Sequence, residues 1–290
     1  MNYLNFLLVF VIPPMLGLMA LLVLLRARGS RPQPRIAALH GGAVVALHVL
    51  IAFVWTTPWD NYLVYSNVWG YPDGGVIAVI GYVPVEEYAF FVLQTLLTGS
   101  WLLLIRRYAP LLPRRPFTPR PALRIAGVSA AATAWTIFAL LFAQSLLTED
   151  TSGRYLTLIM IWALIPLALQ FGYGADVLWY HRRLILTAIA VPSLYLSIAD
   201  AYAIADGTWA IHTYTSSGAN VWFPIYHHGR IALHPLPVEE FIFFTITNAM
   251  LVFGMTLALS RETQPRVLRF LQRILPKEPT DTTTPPQTAA

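Results

Sequence analysis

Four glutamates interrupt apolar stretches of this sequence as two adjacent pairs, Glu86–Glu87 and Glu239–Glu240. One charge at a bilayer centre costs about 2.5–3.5 kcal/mol on an insertion scale. Two adjacent carboxyls, placed twice in such surroundings, point to chemistry. Each pair follows a proline, Pro84 or Pro237, in the motif Pro-Val-Glu-Glu. Proline lacks an N–H and suits the first position of a restarted helix. The glutamates then fall in a first turn whose free N–H groups favour carboxylate anions, whereas burial in hydrocarbon favours the neutral acid. A set holding both forms near neutral pH follows, an acid beside a base. Four residues after each glutamate, on the same helix face, stands a phenylalanine: Phe90 for Glu86, Phe91 for Glu87, Phe243 for Glu239 and Phe244 for Glu240. Phenyl faces stabilise cations and offer no lone pair to trap one. A proton donor, a proton acceptor and aromatic walls in a dry site suit carbocation chemistry on a hydrocarbon. Adjacent helical residues point about 100° apart, so one glutamate of each pair is expected to face a substrate and the other to support it.

The elements that must position these groups are membrane spans. Of 290 residues, 57% are hydrophobic and only 11% charged, against about 25% charged in soluble domains. The absence of cysteine excludes a disulfide framework, a thiolate metal site and a cysteine nucleophile. Seven apolar segments can each supply the roughly 20 residues of a spanning helix: about 3–25, 36–56, 75–105, 122–147, 155–175, 184–204 and 230–259. The start, MNYLNFLLVFVIPPM, has no basic stretch and no small-residue cleavage site, and reads as a retained span. The net charge of +5 comes largely from arginines in short loops, which suits a membrane protein better than a nucleic-acid partner. Arg26, Arg28, Arg31 and Arg35, the six arginines from Arg106 to Arg124, Arg182 and Arg183, and Arg261, Arg266, Arg269, Arg273 and Lys277 fall on one side. The positive-inside rule then puts the N-terminus outside and the C-terminus in the cytoplasm.

The chain repeats itself. Tyr3 and Pro14 match Tyr155 and Pro166 at an offset of 152; Asp60, Tyr62 and Trp69 match Asp200, Tyr202 and Trp209 at 140; PVEEYAFF (84–91) matches PVEEFIFF (237–244) at 153. The expected fold is an all-α integral membrane protein of about seven helices, two parallel three-helix repeats joined by a linking helix. Its expected parts are residues 1–110, the linker 111–150, residues 151–262, and a disordered tail 263–290. The odd fourth span keeps both repeats the same way up, related by a pseudo-two-fold axis along the membrane normal. Asp60 and Asp200 read equally as partners of the glutamates or as caps near helix ends. Tyr62, Tyr202, Trp69 and Trp209 read as interfacial belt residues. His212, His227, His228 and His234 have no counterpart in the first repeat and read as an interfacial loop, and His48 as a packed polar residue; no metal is expected.

The duplicated PVEE[YF]-x-FF, the D-x-Y-x6-W after each second span and the seven-span layout resemble the membrane lycopene cyclases of bacteria and archaea, in the fused form of the heterodimeric type, over about residues 1–260. The resemblance implies a cytoplasmic-membrane enzyme of carotenoid biosynthesis, an intramolecular lyase that closes the ψ-ends of lycopene to β-rings through γ-carotene to β-carotene. It implies Glu86, Glu87, Glu239 and Glu240 as catalytic groups, with Asp60, Asp200, Pro84, Pro237, Phe90, Phe91, Phe243 and Phe244 around them. The implied partners are lycopene drawn from the bilayer, membrane lipids and other carotenoid enzymes. The reaction gains and loses no atoms, so no cofactor is expected, and no G-x-G-x-x-G follows a strand. The alternatives are an ε-cyclase, a 1,2-hydratase that lets water capture the cation, and a proton-coupled transporter. Parallel repeats put both glutamate pairs at one depth, whereas extended lycopene is about as long as the bilayer core is thick, which favours one shared site. Glu86→Gln and Glu239→Gln, made singly, test this: two independent sites predict γ-carotene from each, and a shared site predicts loss of both cyclisations in at least one.

Overall fold

The computed structural model describes residues 1–28 and 40–266. Among them, seven helices are long and apolar enough to cross a membrane: α1 (Tyr3–Ala27), α2 (Gly41–Tyr65), α3 (Val85–Tyr108), α4 (Pro121–Leu147), α5 (Arg154–Tyr180), α6 (Arg182–Ala205) and α7 (Val238–Leu259). The chain is an all-α integral membrane protein. Strands among the described residues are short and lie in the loops: β1 (Trp69–Gly70), β2 (Val79–Ile80), β3 (Val83–Pro84), β4 (Ala210–Ile211), β5 (Asn220–His227) and β6 (Arg230–Pro237). Arg31, Arg35, Arg269, Arg273 and Lys277, and residues 267–290 of the expected tail, lie outside the described residues.

Three expected spans shift. The second, expected over 36–56, runs Gly41–Tyr65, because the apolar run continues past Pro58, which the helix accommodates internally; residues 36–39 lie outside the described residues. The third and seventh begin later than expected. Residues 79–84 form the hairpin β2–β3, turned at Gly81 with φ of 69°. Residues 220–237 form the hairpin β5–β6, whose alternating burial marks a strand with one face on the protein. In both places proline ends the extended stretch: Pro84 (φ −59°, ψ 147°) and Pro237 (φ −50°, ψ 135°) are the N-caps of α3 and α7. Pyrrolidine fixes φ near its helical value and removes a donor that the first turn leaves unpaired anyway. Each Pro-Val-Glu-Glu motif thus starts its helix rather than sitting within one. The expected tail also starts too early at 263. Thr263 is buried and donates to Leu257 O at 2.7 Å, and Arg266 pairs with Asp176 at 2.7 Å.

The packing places both motif helices at the centre. The helix α3 packs on α1, α2 and α6, and α7 packs on α5, α6 and α2, while α3 and α7 touch each other. The helix α4 packs chiefly on α5 and turns most of its apolar surface outward, as a lipid-facing helix does. Corresponding backbone ties hold the two halves: Tyr3 N donates to Gly75 O (2.9 Å) and Tyr155 N to Thr215 O (3.0 Å); Val85 N donates to Ala78 O and Val238 N to Ala219 O, each at 2.9 Å. The antiparallel pair β1–β4 joins the loop after α2 to the loop after α6. Within the bundle, buried Asn248 bridges three helices: its Oδ1 accepts from Thr98 Oγ1 (2.7 Å) and its Nδ2 donates to Ser193 Oγ (3.0 Å). Interhelical hydrogen bonds in membranes contribute about 0.6 kcal/mol each and up to about 1.7 kcal/mol. Asn248→Ala is therefore expected to lower unfolding stability in detergent by about 1 kcal/mol or more, and wild-type stability in that variant would contradict the bridge.

Candidate active site

The two glutamates of each motif do different work. Glu86 and Glu239 are buried and turn back toward the preceding loop, where each Oε1 accepts a backbone N–H, from Ile77 (2.7 Å) and Ser217 (2.6 Å) respectively. A first-turn carboxylate that ties down the chain entering its own helix is a positioning device. Glu87 and Glu240 point the other way, into one cavity of about 50 Å³. The second member of each pair faces the cavity, and the first is buried behind it.

That cavity is built from both halves of the chain. The helix α1 gives Tyr3 and Phe6; the loop after α2 gives Trp69 and Tyr71; α3 gives Glu87 and Phe90. From the second half come Tyr155 of α5, Leu196 and Asp200 of α6, Trp209 and Ile211 of the following loop, and Glu240, Phe243 and Phe244 of α7. Glu87 Oε2 accepts two phenolic hydrogen bonds, from Tyr3 (2.6 Å) and Tyr71 (2.8 Å). Glu240 Oε1 accepts one, from Tyr155 (2.8 Å). Asp200 Oδ1 accepts from Trp209 Nε1 (2.8 Å). Among the described residues, no lysine, arginine or histidine lines the cavity. The walls are aromatic: Phe90 meets Phe244 edge-on across the two motif helices at 6.3 Å, and Phe243 stacks on Trp59 at 5.6 Å.

Set against the residues singled out from sequence, the structure brings Glu87, Glu240, Asp200, Phe90, Phe243 and Phe244 to the cavity. Pro84 and Pro237 cap the helices that carry the glutamates. Glu86 and Glu239 sit behind them. Phe91 is buried away from the cavity, edge-on to Tyr88. Glu87 thus shares the cavity with Phe90, three residues on, and the expected partnering with Phe91 fails because α3 turns that residue into the bundle. Asp60 is buried with one carboxyl oxygen unpartnered, and does not line the cavity. The interfacial-belt reading is wrong for Trp69 and Trp209. Trp69 is buried and donates to Tyr71 OH (3.1 Å), and Trp209 packs on Tyr3 with ring centres 4.9 Å apart. The loops after α2 and α6 fold inward over the cavity, where the belt reading needs them splayed along the surface. His227 lies 3.3 Å from Asp206 and its ring is 3.9 Å from that of His228, away from this cavity.

Sequence reasoning missed three phenols. Tyr3 and Tyr155 served only as markers of the repeat, although an identically placed tyrosine at the start of each first helix was itself a signal. Tyr71 carried none, since Ile211 stands at its counterpart, 140 residues on.

The arrangement defines a class: a multi-pass membrane protein whose two halves close carboxyl groups and aromatic rings around one cavity. No family model matches the chain, and no solved structure matches it. Among curated proteins it is 38% identical over 256 residues, 88% of this chain and 95% of the other, to the lycopene beta-cyclase of Halobacterium salinarum. It is 38% identical over 216 residues to the bifunctional lycopene cyclase/phytoene synthase of Sporisorium reilianum, covering 72% of this chain and 29% of that longer protein, and 36% identical to its namesake in Phycomyces blakesleeanus over 70% of this chain. The chain belongs to the lycopene cyclase family.

Tyr71, in the loop outside the spans, has its phenol pushed well above the ordinary value of about 10 by burial, and then by the neighbouring Glu87 carboxylate. A raised folded-state value stabilises the fold fully below the unfolded value, and the stabilisation is lost as pH rises through the folded one. Absorbance titration of wild type minus Tyr71→Phe should accordingly show no phenolate from Tyr71 within the ordinary phenol range; ionisation there would contradict the bond to Glu87.

Proposed function

We propose that this protein is a lycopene β-cyclase of carotenoid biosynthesis that works through a single site shared by its two halves. The observation that carries the reading is the convergence of Glu87 and Glu240 in one aromatic cavity. The family and the names of its relatives supply the substrate. One carboxyl group donates a proton to the terminal double bond of a ψ-end. The internal double bond attacks the resulting tertiary cation and closes the six-membered ring. A carboxylate then takes a ring proton, which restores neutrality and leaves an isomer. Phe90, Phe243 and Phe244 present π-faces to the cation and carry no nucleophile, and exclusion of water prevents its capture as an alcohol. The sum of the steps requires no redox cofactor.

A ψ-end group is larger than the cavity, so its entry parts the aromatic wall. On this reading residues 1–110 and 151–262 are the two repeats and 111–150 the link between them. The protein lies in the cytoplasmic membrane, arginine-rich loops inward, with the site in the outer half. Lycopene enters from the lipid and presents its two ends in turn. The fungal relatives named as fusions with phytoene synthase support a place beside other carotenoid enzymes.

In a lycopene-accumulating bacterium, expression of the chain should replace lycopene with β-carotene; unchanged lycopene with the protein present in the membrane would overturn the reading. The decisive variants are those of the cavity glutamates. General acid–base groups typically contribute about 10²–10⁴-fold, so Glu87→Gln and Glu240→Gln should each lose both cyclisations by at least about 100-fold. Accumulation of γ-carotene by each variant would show two independent sites instead.

A further inference from the structure

The two halves are not chemically equivalent at the cavity, and the difference assigns their roles. We propose that Asp200 and Glu240 share one proton and form the donor, while Glu87, held by Tyr3 and Tyr71, is the acceptor. The assignment rests on the cyclase reading and deepens it by naming which carboxyl group does what.

Hydrogens can be counted at the donor pair. An ionised carboxylate only accepts hydrogen bonds. Asp200 and Glu240 line one cavity that no described cation lines, and two carboxyls confined there hold a proton between them rather than both ionise. Both are buried, with relative exposures of 2% and 6%. The bonds to the pair, from Trp209 to Asp200 Oδ1 and from Tyr155 to Glu240 Oε1, are donations into it and leave the shared proton in place. Asp200 Oδ2 is buried without a partner.

Glu87 contrasts with this pair. Its Oε2 takes two phenolic O–H bonds, and Tyr71 receives Trp69 Nε1–H on its own oxygen, which commits the Tyr71 hydrogen to Glu87. The corresponding tryptophans therefore serve different acceptors: Trp209 donates to Asp200, and Trp69 donates to Tyr71. At the position of Tyr71 the second half has Ile211, so Glu240 gains one phenol where Glu87 gains two.

Charge points the same way. Glu87, Glu240 and Asp200 share a cavity with no cation among the described residues that line it. The other titratable groups around them are Glu86 and Asp60 on the Glu87 side and Glu239 on the Glu240 side, all carboxyls, and the phenols Tyr3, Tyr71 and Tyr155. Uncompensated charges in so dry a place cost too much for all of them to be ionised. One proton on the Asp200–Glu240 pair and a doubly donated carboxylate at Glu87 resolve the conflict. After the proton leaves Glu240 and the ring proton reaches Glu87, transfer back across the cavity resets the site with no net change.

Asp200 is on this view a positioning residue, because it acts through the proton that Glu240 delivers. Infrared difference spectra of the full chain in lipid near neutral pH test the assignment without turnover. A protonated-carboxyl stretch should be lost in Glu240→Gln, displaced or lost in Asp200→Asn, and kept in Glu87→Gln; loss in Glu87→Gln with retention in the other two would overturn it. Rate against pH gives the second reading. A donor must be protonated, so activity falls on the alkaline side as it ionises. The side-chain amide introduced by Asp200→Asn would donate to the Glu240 carboxylate and favour its ionised form. That variant should therefore move the alkaline limb down by about one pH unit, a tenfold change in proton affinity, and Asp200→Glu should restore it. An acceptor must be ionised, and Tyr3→Phe and Tyr71→Phe remove its donors, so the acidic limb should move up. Limbs that exchange, or that stay fixed while the variants remain folded, would overturn the assignment. Wild-type membranes that form no ring would instead sink the cyclase reading, with the infrared bands still deciding the proton's place.

Discussion

Carboxyl groups placed in hydrocarbon without a cation can persist only if other donors satisfy them. That constraint organises the end of this protein at which the two motif helices begin. Glu86 and Glu239 take backbone N–H groups from the loops that precede them, Glu87 takes two phenols, Glu240 takes one phenol, and Asp200 takes an indole. The donors come from several distant segments, so satisfying the acids also fixes where α1, α5 and the loops after α2 and α6 must lie. Burial of the acids and closure of the fold at this end are one event.

The prolines make that closure possible. A helix running unbroken through the motif would bury its glutamates with the first-turn N–H groups already used. Starting the helix at Val85 and Val238 lets their N–H groups bond back to Ala78 O and Ala219 O, and the chain just before each motif forms a hairpin. The first glutamate reaches back to that chain while the second, about a quarter-turn on, points inward. One short motif thus supplies both an anchor and a carboxyl that faces the cavity, and duplication supplies two such carboxyls in one cavity.

Duplication by itself would give two identical half-sites. Pairing of β1 with β4 draws the loops after α2 and α6 together, and the resulting single cavity exposes the differences between the halves. Tyr71 against Ile211, and Trp69 bonded to a phenol where Trp209 is bonded to a carboxyl, are small changes in sequence. On the proposed assignment they decide where a proton resides, because hydrogen-bond partners weigh more in a buried site than they do in bulk water.

The sequence by itself determined the membrane class, the number of spans and the motif pairs, because hydrophobic run length, arginine placement and constant offsets are properties of the chain alone. It also marked both prolines as helix starts, since a fixed φ and a missing N–H act locally. It could not decide that 79–84 and 220–237 are hairpins, because apolar runs beside a span read as more of the span until strand pairing is known. Nor could it decide which glutamate of each pair faces inward, that Phe91 turns away from Glu87, or that Trp69 and Trp209 fold over the cavity. Those depend on the rotation of α3 and α7 against their neighbours and on the meeting of two loops about 140 residues apart in sequence. The tertiary structure alone placed Tyr3, Tyr71 and Tyr155 on the acids, because a hydrogen bond between distant segments leaves no periodicity along the chain to read.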